Sequence, residues 1–191
     1  MGLMTIAEAW PATARPFTVA DLDRMPDDGR RYELVQGVLI VSPRPSLIHQ
    51  AVALRLAVCL DQACPRELQV VPEPAVMISA DTELDPDIVV VRKGQLGQTK
   101  VTEAPVLAAE IQSPGTALID LSVKKVAYER FGTQSYWIVV PSLEVPEVII
   151  FELRDRQYEQ VAHVRGREAF RADRPFAVEV QPSELVDGRR A

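Results

Sequence analysis

The stretch from Glu83 to Phe131 constrains the fold more than any other part of the chain. It reads Asp85-Pro86-Asp87-Ile88-Val89-Val90-Val91, a polar gap, and then Pro105-Val106-Leu107-Ala108-Ala109-Glu110-Ile111-Gln112-Ser113-Pro114. Short apolar runs bounded by proline read as strands, and near-continuous apolarity implies burial on both faces. Each run nevertheless carries one carboxylate. Alternation along the second strand puts Val106, Ala108, Glu110 and Gln112 on one face. A buried carboxylate is costly without a cation or a donor beside it. If the two strands are antiparallel neighbours, Asp87 at the start of one lies beside Glu110 at the end of the other. Two converging carboxylates suit Mg²⁺, which is commonly held by one or two carboxylates, waters and phosphate oxygens.

The run after Pro114-Gly115 predicts a helix from about Thr116 to Phe131, stopped by Gly132. At 100° per residue, Lys124 falls among Ala117, Leu121, Tyr128 and Phe131, in the middle of the apolar face. Asp120 lies one turn earlier and can pair with it. Spacing alone fits a snorkelling lysine equally well. Beside two strand carboxylates in need of partners, the functional reading gains weight. A metal would lower the pKa of an attacking water and polarise a phosphate, and Lys124 would stabilise charge developing in the transition state. The set therefore suits hydrolysis of a phosphodiester.

The rest of the chain supplies context. Thr18 caps a short helix to about Met25, and Pro26-Asp27-Asp28-Gly29 is a turn. Tyr32 to Val41 reads as a hairpin turning at Gln36-Gly37. Glu33 sits in its first arm; alone it is an ordinary solvent-facing residue, but a nearby hairpin would let it hold the metal or orient water. Pro43-Arg44-Pro45 ends the hairpin. A helix follows from Ser46 to about Ala63, apolar over much of its surface and therefore expected against the sheet. His49, in its first turn, reads as a cap or a packed ring. Gln69 to Ser79 is strand-like, but Pro72 and Pro74 assign it to an edge or an irregular strand. Ser135 to Val140 is a further buried strand, and antiparallel strands are expected near residues 148–153, 157–164 and 176–180.

The 191 residues, 47% of them hydrophobic, fit one domain with a full core. We expect that domain over residues 17–186, after a loosely ordered leader and before a frayed tail from residue 187. A net charge of -6 excludes a broad basic surface but leaves room for a local basic groove. Cys59 and Cys64 are too few for a disulfide framework or a zinc site and fit a reducing cytoplasm. No run reaches the roughly 20 apolar residues of a membrane helix, and the first residues lack the pattern of a signal peptide.

Taken together, several short motifs resemble the PD-(D/E)XK nuclease superfamily and, within it, the Uma-two restriction-endonuclease family. They are Tyr32-Glu33-Leu34-Val35-Gln36-Gly37, His49-Gln50, Pro86-Asp87, Glu110-Ile111-Gln112-Ser113-Pro114, the set Asp120, Lys124 and Tyr128, Gly132, and Tyr136-Trp137-Ile138-Val139. The resemblance spans residues 17–180. It implies an α/β restriction-endonuclease-like core, a mixed central sheet flanked by helices, with additional antiparallel strands near the C-terminus. It implies a Mg²⁺- or Mn²⁺-dependent DNA endonuclease with Asp87 and Glu110 as metal ligands and Glu33 as an additional acid. The superfamily's usual lysine falls at Gln112, and Lys124 matches a substitute on the following helix. The catalytic set is thus Glu33, Asp87, Glu110, Gln112 and Lys124. His49 matches a recurrent position of unassigned role, and Val140 stands where relatives usually carry an acid. A homodimer is expected on the ground that two strands are cut by two sites. The rival readings are an inactive nuclease-like module that binds nucleic acid or protein, favoured by Gln112 and the acidic charge, and a protein-interaction module using the β-rich C-terminal part.

Overall fold

The computed structural model describes residues 15–113, 115 and 117–187. Residues 1–14 of the expected leader and 188–191 of the expected tail lie outside the described residues. After α1 (Val19–Leu22), a hairpin is formed by β1 (Arg31–Val35) and β2 (Val38–Ser42), with Tyr32 opposite Val41. Its two-residue turn needs positive φ at both positions; Gln36 and Gly37 adopt 48° and 77°. Helix α2 (Leu47–Ala63) follows, its N-cap Ser46 accepting a hydrogen bond from the His49 amide.

The proline-interrupted segment becomes two strands, β3 (Leu68–Pro72) and β4 (Val76–Ser79). They edge different sheets, and edges are where prolines that cannot donate to a ladder are tolerated. A short strand not foreseen in the sequence, β5 (Thr82–Leu84), completes the first sheet in the order β2-β1-β5-β4. The chain then builds β6 (Ile88–Arg92), β7 (Leu107–Ile111), α3 (Ala117–Ile119), a π-helical segment Asp120–Lys124, α4 (Lys125–Phe131) and β8 (Ser135–Val140). Next come β9 (Glu147–Arg154), β10 (Gln157–Arg165), β11 (Phe170–Ala172), β12 (Val178–Val180) and α5 (Pro182–Asp187). The central sheet runs β10-β9-β8-β7-β6-β3. It is antiparallel except for β7 and β8, whose parallel pairing requires the helical crossover between them.

Both faces of this sheet are covered. Val52, Leu56 and Leu60 of α2 pack with Ile88, Val90, Leu107, Ala109 and Trp137 on one face, joined by Val178, Val180 and Leu185. On the other, Val89, Val91, Ala108, Tyr136 and Ile138 meet Val35 and Ile40 of the hairpin and Tyr128 of α4. The central strands read as unbroken apolar runs for this reason. Helix α2 departs from the expectation in one respect. Its inner stripe is buried, but Leu47, Leu54 and Val58 face outward and are exposed. Among the described residues no helix is long and apolar enough to cross a membrane.

Candidate metal-dependent active site

Strands β6 and β7 are antiparallel neighbours with Ile88 opposite Ala109 and Val89 opposite Ala108. Stepping the register back one residue puts Asp87 opposite Glu110. Alternation gives both the same phase as Val89 and Ala108, so their side chains leave the sheet on the face covered by the hairpin and α4. Asp87 ends the ladder: its Oδ2 accepts the Ile111 amide at 2.7 Å, and its carbonyl accepts the Glu73 amide at 3.0 Å. Its Oδ1 pairs with the Arg31 guanidinium at 2.9 Å, and His49 Nε2 reaches Oδ2 at 3.2 Å. Burial alone would push the Asp87 carboxyl up, but His49 and Arg31 together hold it below the usual range.

Lys124 Nζ is buried among carboxylates, 2.8 Å from Glu33 Oε1, 3.2 Å from Glu110 Oε1 and 3.6 Å from Asp120 Oδ1. Burial would strip this amine of its proton; Glu110, Glu33 and Asp120 reverse that and hold it charged beyond the ordinary lysine range. Glu110 moves well above its usual range, because burial and the charges of Asp120, Asp87 and Glu33 outweigh the pull of Lys124. The Tyr128 hydroxyl donates to Glu110 Oε1 at 3.4 Å. Glu33 also accepts the Asp85 amide at 3.0 Å. The Asp85 carboxyl, crowded by burial and by Glu33, is pushed up to about 7.

Lys124 is carried there at the end of a π-helical segment, Asp120–Lys124. A wheel at 100° per residue puts Leu121 on the buried face, yet Leu121 is 42% exposed and Asp120 is 1% exposed. Asp120 and Lys124 keep the buried face that a regular wheel gives them, while the wider turn leaves Leu121 outside it; such π-bulges are frequent at functional sites. The Tyr136 hydroxyl donates to the Asp120 carbonyl at 3.0 Å and supports the distorted turn. Gly132 ends α4 in the left-handed region, as its position after the apolar run predicts.

Four of the five sequence-predicted site residues therefore meet around one point: Glu33, Asp87, Glu110 and Lys124. Gln112 is directed elsewhere. Its Nε2 donates to the Ala117 carbonyl at 3.3 Å, tying the end of β7 to the start of α3. Arg31 and Asp85 escaped the sequence reading. Arg31 lies two residues before Glu33 on the same face of β1, so alternation from Glu33 would have found it; Asp85 lies in the connection between β5 and β6, where alternation gives no guide. Among the described residues no three His, Cys, Asp or Glu side chains close into a metal shell. Two oxygen ligands and an otherwise open shell remain within the requirements of a hard cation such as Mg²⁺, and the carboxylates outnumber Lys124 and Arg31.

Residues 19–185 match the Uma2 family, described as "Putative restriction endonuclease". The chain belongs to the Uma2 family. The crystal structure of a putative nuclease of the DUF820 family from Anabaena variabilis is similar to it, with a TM-score of 0.72 and 18% identity over 91% of this chain and 99% of that one. At that identity the likeness establishes a shared nuclease-like fold. No protein of curated function matches the chain. Uma2 membership and the mixed sheet agree with the fold expected from the motifs.

Proposed function

We propose that this Uma2 protein is a divalent-metal-dependent DNA endonuclease, with Asp87 and Glu110 holding Mg²⁺, or Mn²⁺ in its place. The observation that carries this reading is the convergence of two strand carboxylates on one sheet face beside a buried, charged lysine. A bound divalent cation would supply an acidified water and a polarised phosphate. The protein's own groups would do the rest. Lys124 stabilises negative charge on the phosphate as it develops, and its partner Glu33 holds the amine in place and is the additional acid beside the two ligands. Gln112, in the position of the superfamily's usual lysine, fixes the start of the helical segment that carries Lys124. His49 and Arg31 orient Asp87. The reading includes a cytoplasmic protein that acts on a duplex as a homodimer.

The test is a calorimetric Mn²⁺ titration of the wild type and Asp87→Asn, followed by incubation of each with plasmid DNA. We expect the wild type to bind Mn²⁺ and nick the plasmid, and the variant to do neither. Mn²⁺ binding unchanged in the variant would refute the assigned ligand. Binding without cleavage of any nucleic acid would favour the inactive binding module.

A further inference from the structure

Next to the carboxylate cluster lies an open cavity of about 540 Å³, bordered by Arg31, Tyr32, Arg44, Glu73, Asp85 and Lys100. Four cations line its wall and are not equivalent: Arg30 pairs with Asp28 at 3.5 Å. Lys100 is held by Asp23 at 2.6 Å and Glu83 at 2.9 Å, so its charge is spent within the fold. Arg31 bridges Asp87 and Glu73, 2.9 and 3.6 Å away. Arg44 is different. Among the described residues no carboxylate pairs with it; its Nε donates to the Gly29 carbonyl at 3.2 Å, and its terminal nitrogens remain available.

Gly29 leaves room for this guanidinium, and two prolines set the backbone that carries it. Gly29 has φ of +77°, and a Cβ built there would lie 2.3 Å from the Arg44 guanidinium. The positive φ favours glycine, and the missing Cβ leaves the guanidinium room to lie against the backbone. Pro43 and Pro45 flank Arg44, fixing their own φ and confining Arg44 to extended backbone. A planar guanidinium with free N–H groups suits the bidentate recognition of a phosphate.

We propose that this cavity receives the sugar-phosphate backbone of a DNA duplex, with Arg44 gripping a phosphate beside the one presented to Asp87 and Glu110 and Arg31 facing the phosphate nearer the cluster. The inference rests on the nuclease reading and adds the path by which substrate reaches the site. The five acids on the wall, Asp23, Asp27, Glu73, Glu83 and Asp85, confine the contact to the phosphates that Arg44 and Arg31 reach. A chain of net charge -6 can therefore bind nucleic acid without a broad basic face.

The experiment measures binding of a short fluorescein-labelled DNA duplex by anisotropy, in EDTA so that no strand is cut, over a series of salt concentrations. Each phosphate contact contributes about 0.9 to the slope of log K against log salt on duplex DNA. Arg44→Gln should lower that slope by about this amount, while Arg44→Lys, which keeps the charge, should preserve it. Arg167→Gln, at an exposed arginine remote from the cavity, should also preserve it. Mn²⁺ titration of Arg44→Gln should match the wild type, showing an intact cluster. A wild-type slope in Arg44→Gln, or an equal fall in Arg167→Gln, overturns the inference alone. Failure of the wild type to bind duplex even at low salt overturns the nucleic-acid reading with it.

Discussion

Lys124→Met tests the electrostatic account of the site most directly. The substitution retains a long apolar stem and removes the ammonium, which lies within 4 Å of Glu33, Glu110 and Asp120. All three carboxylates and the amine are buried. Breaking a buried ion pair by removing one partner costs about 3–5 kcal/mol. Stranded carboxylates can escape part of that cost by taking up protons, so we expect a loss near the lower figure, about 3 kcal/mol at pH 7.5. For a protein of this size that lowers Tm by about 6–12 °C. The sign with pH follows from the same charges. Lys124 is the charge that pulls the raised Glu110 carboxyl down, so without it Glu110 rises further and the folded state binds more protons than the unfolded chain above about pH 4. Stability of the variant then falls as pH rises above about 4, and its deficit relative to wild type shrinks at pH 5. Urea unfolding followed by fluorescence of the buried Trp137 and by far-UV circular dichroism measures both quantities. A loss below about 1 kcal/mol at pH 7.5, or a deficit that does not change with pH, would refute a charged Lys124 as the counter-ion of the cluster.

Glu110→Gln should have the opposite sign. Its raised pKa means that the folded state resists ionising it, so wild-type stability contains a contribution that falls as pH rises from near 4 towards the folded value; the amide should remove that slope and stabilise the protein at pH 8, as seen in urea midpoints at pH 5 and 8. Gly132→Ala should cost about 1–2 kcal/mol in urea unfolding, because φ is +95° while the nearest atom to the new Cβ would be 4.0 Å away, leaving backbone strain as the whole effect. Leu56→Ala, at a fully buried position between α2 and the sheet, should cost about 2–5 kcal/mol and leave Mn²⁺ binding per folded molecule unchanged, measured by urea unfolding and calorimetry.

What was legible in the sequence follows from local physics. Two proline-bounded apolar runs could only be buried strands, Gln36-Gly37 could only be a tight hairpin turn, and Gly132 could only stop a helix. Carboxylates at Asp87 and Glu110 stood out because nothing in an apolar strand compensates a charge, and that anomaly survives without any knowledge of the fold. The tertiary structure decided how those charges are balanced. Arg31 and His49 reach Asp87 from a strand and a helix distant in sequence; alternation could place Arg31 on the Glu33 face, but only packing shows that both side chains meet Asp87. A regular helical period puts Asp120 and Lys124 on the buried face but also Leu121; the π-helical turn that leaves Leu121 exposed has no mark in the sequence, and it is supported by the Tyr136 hydroxyl on the Asp120 carbonyl. Likewise Gly29 and Arg44 are separated by a whole hairpin, and only packing brings the guanidinium onto the glycine. Sequence fixes what each segment prefers by itself; which charges share one low-dielectric space depends on how the segments pack, and the chemistry of this site depends on that.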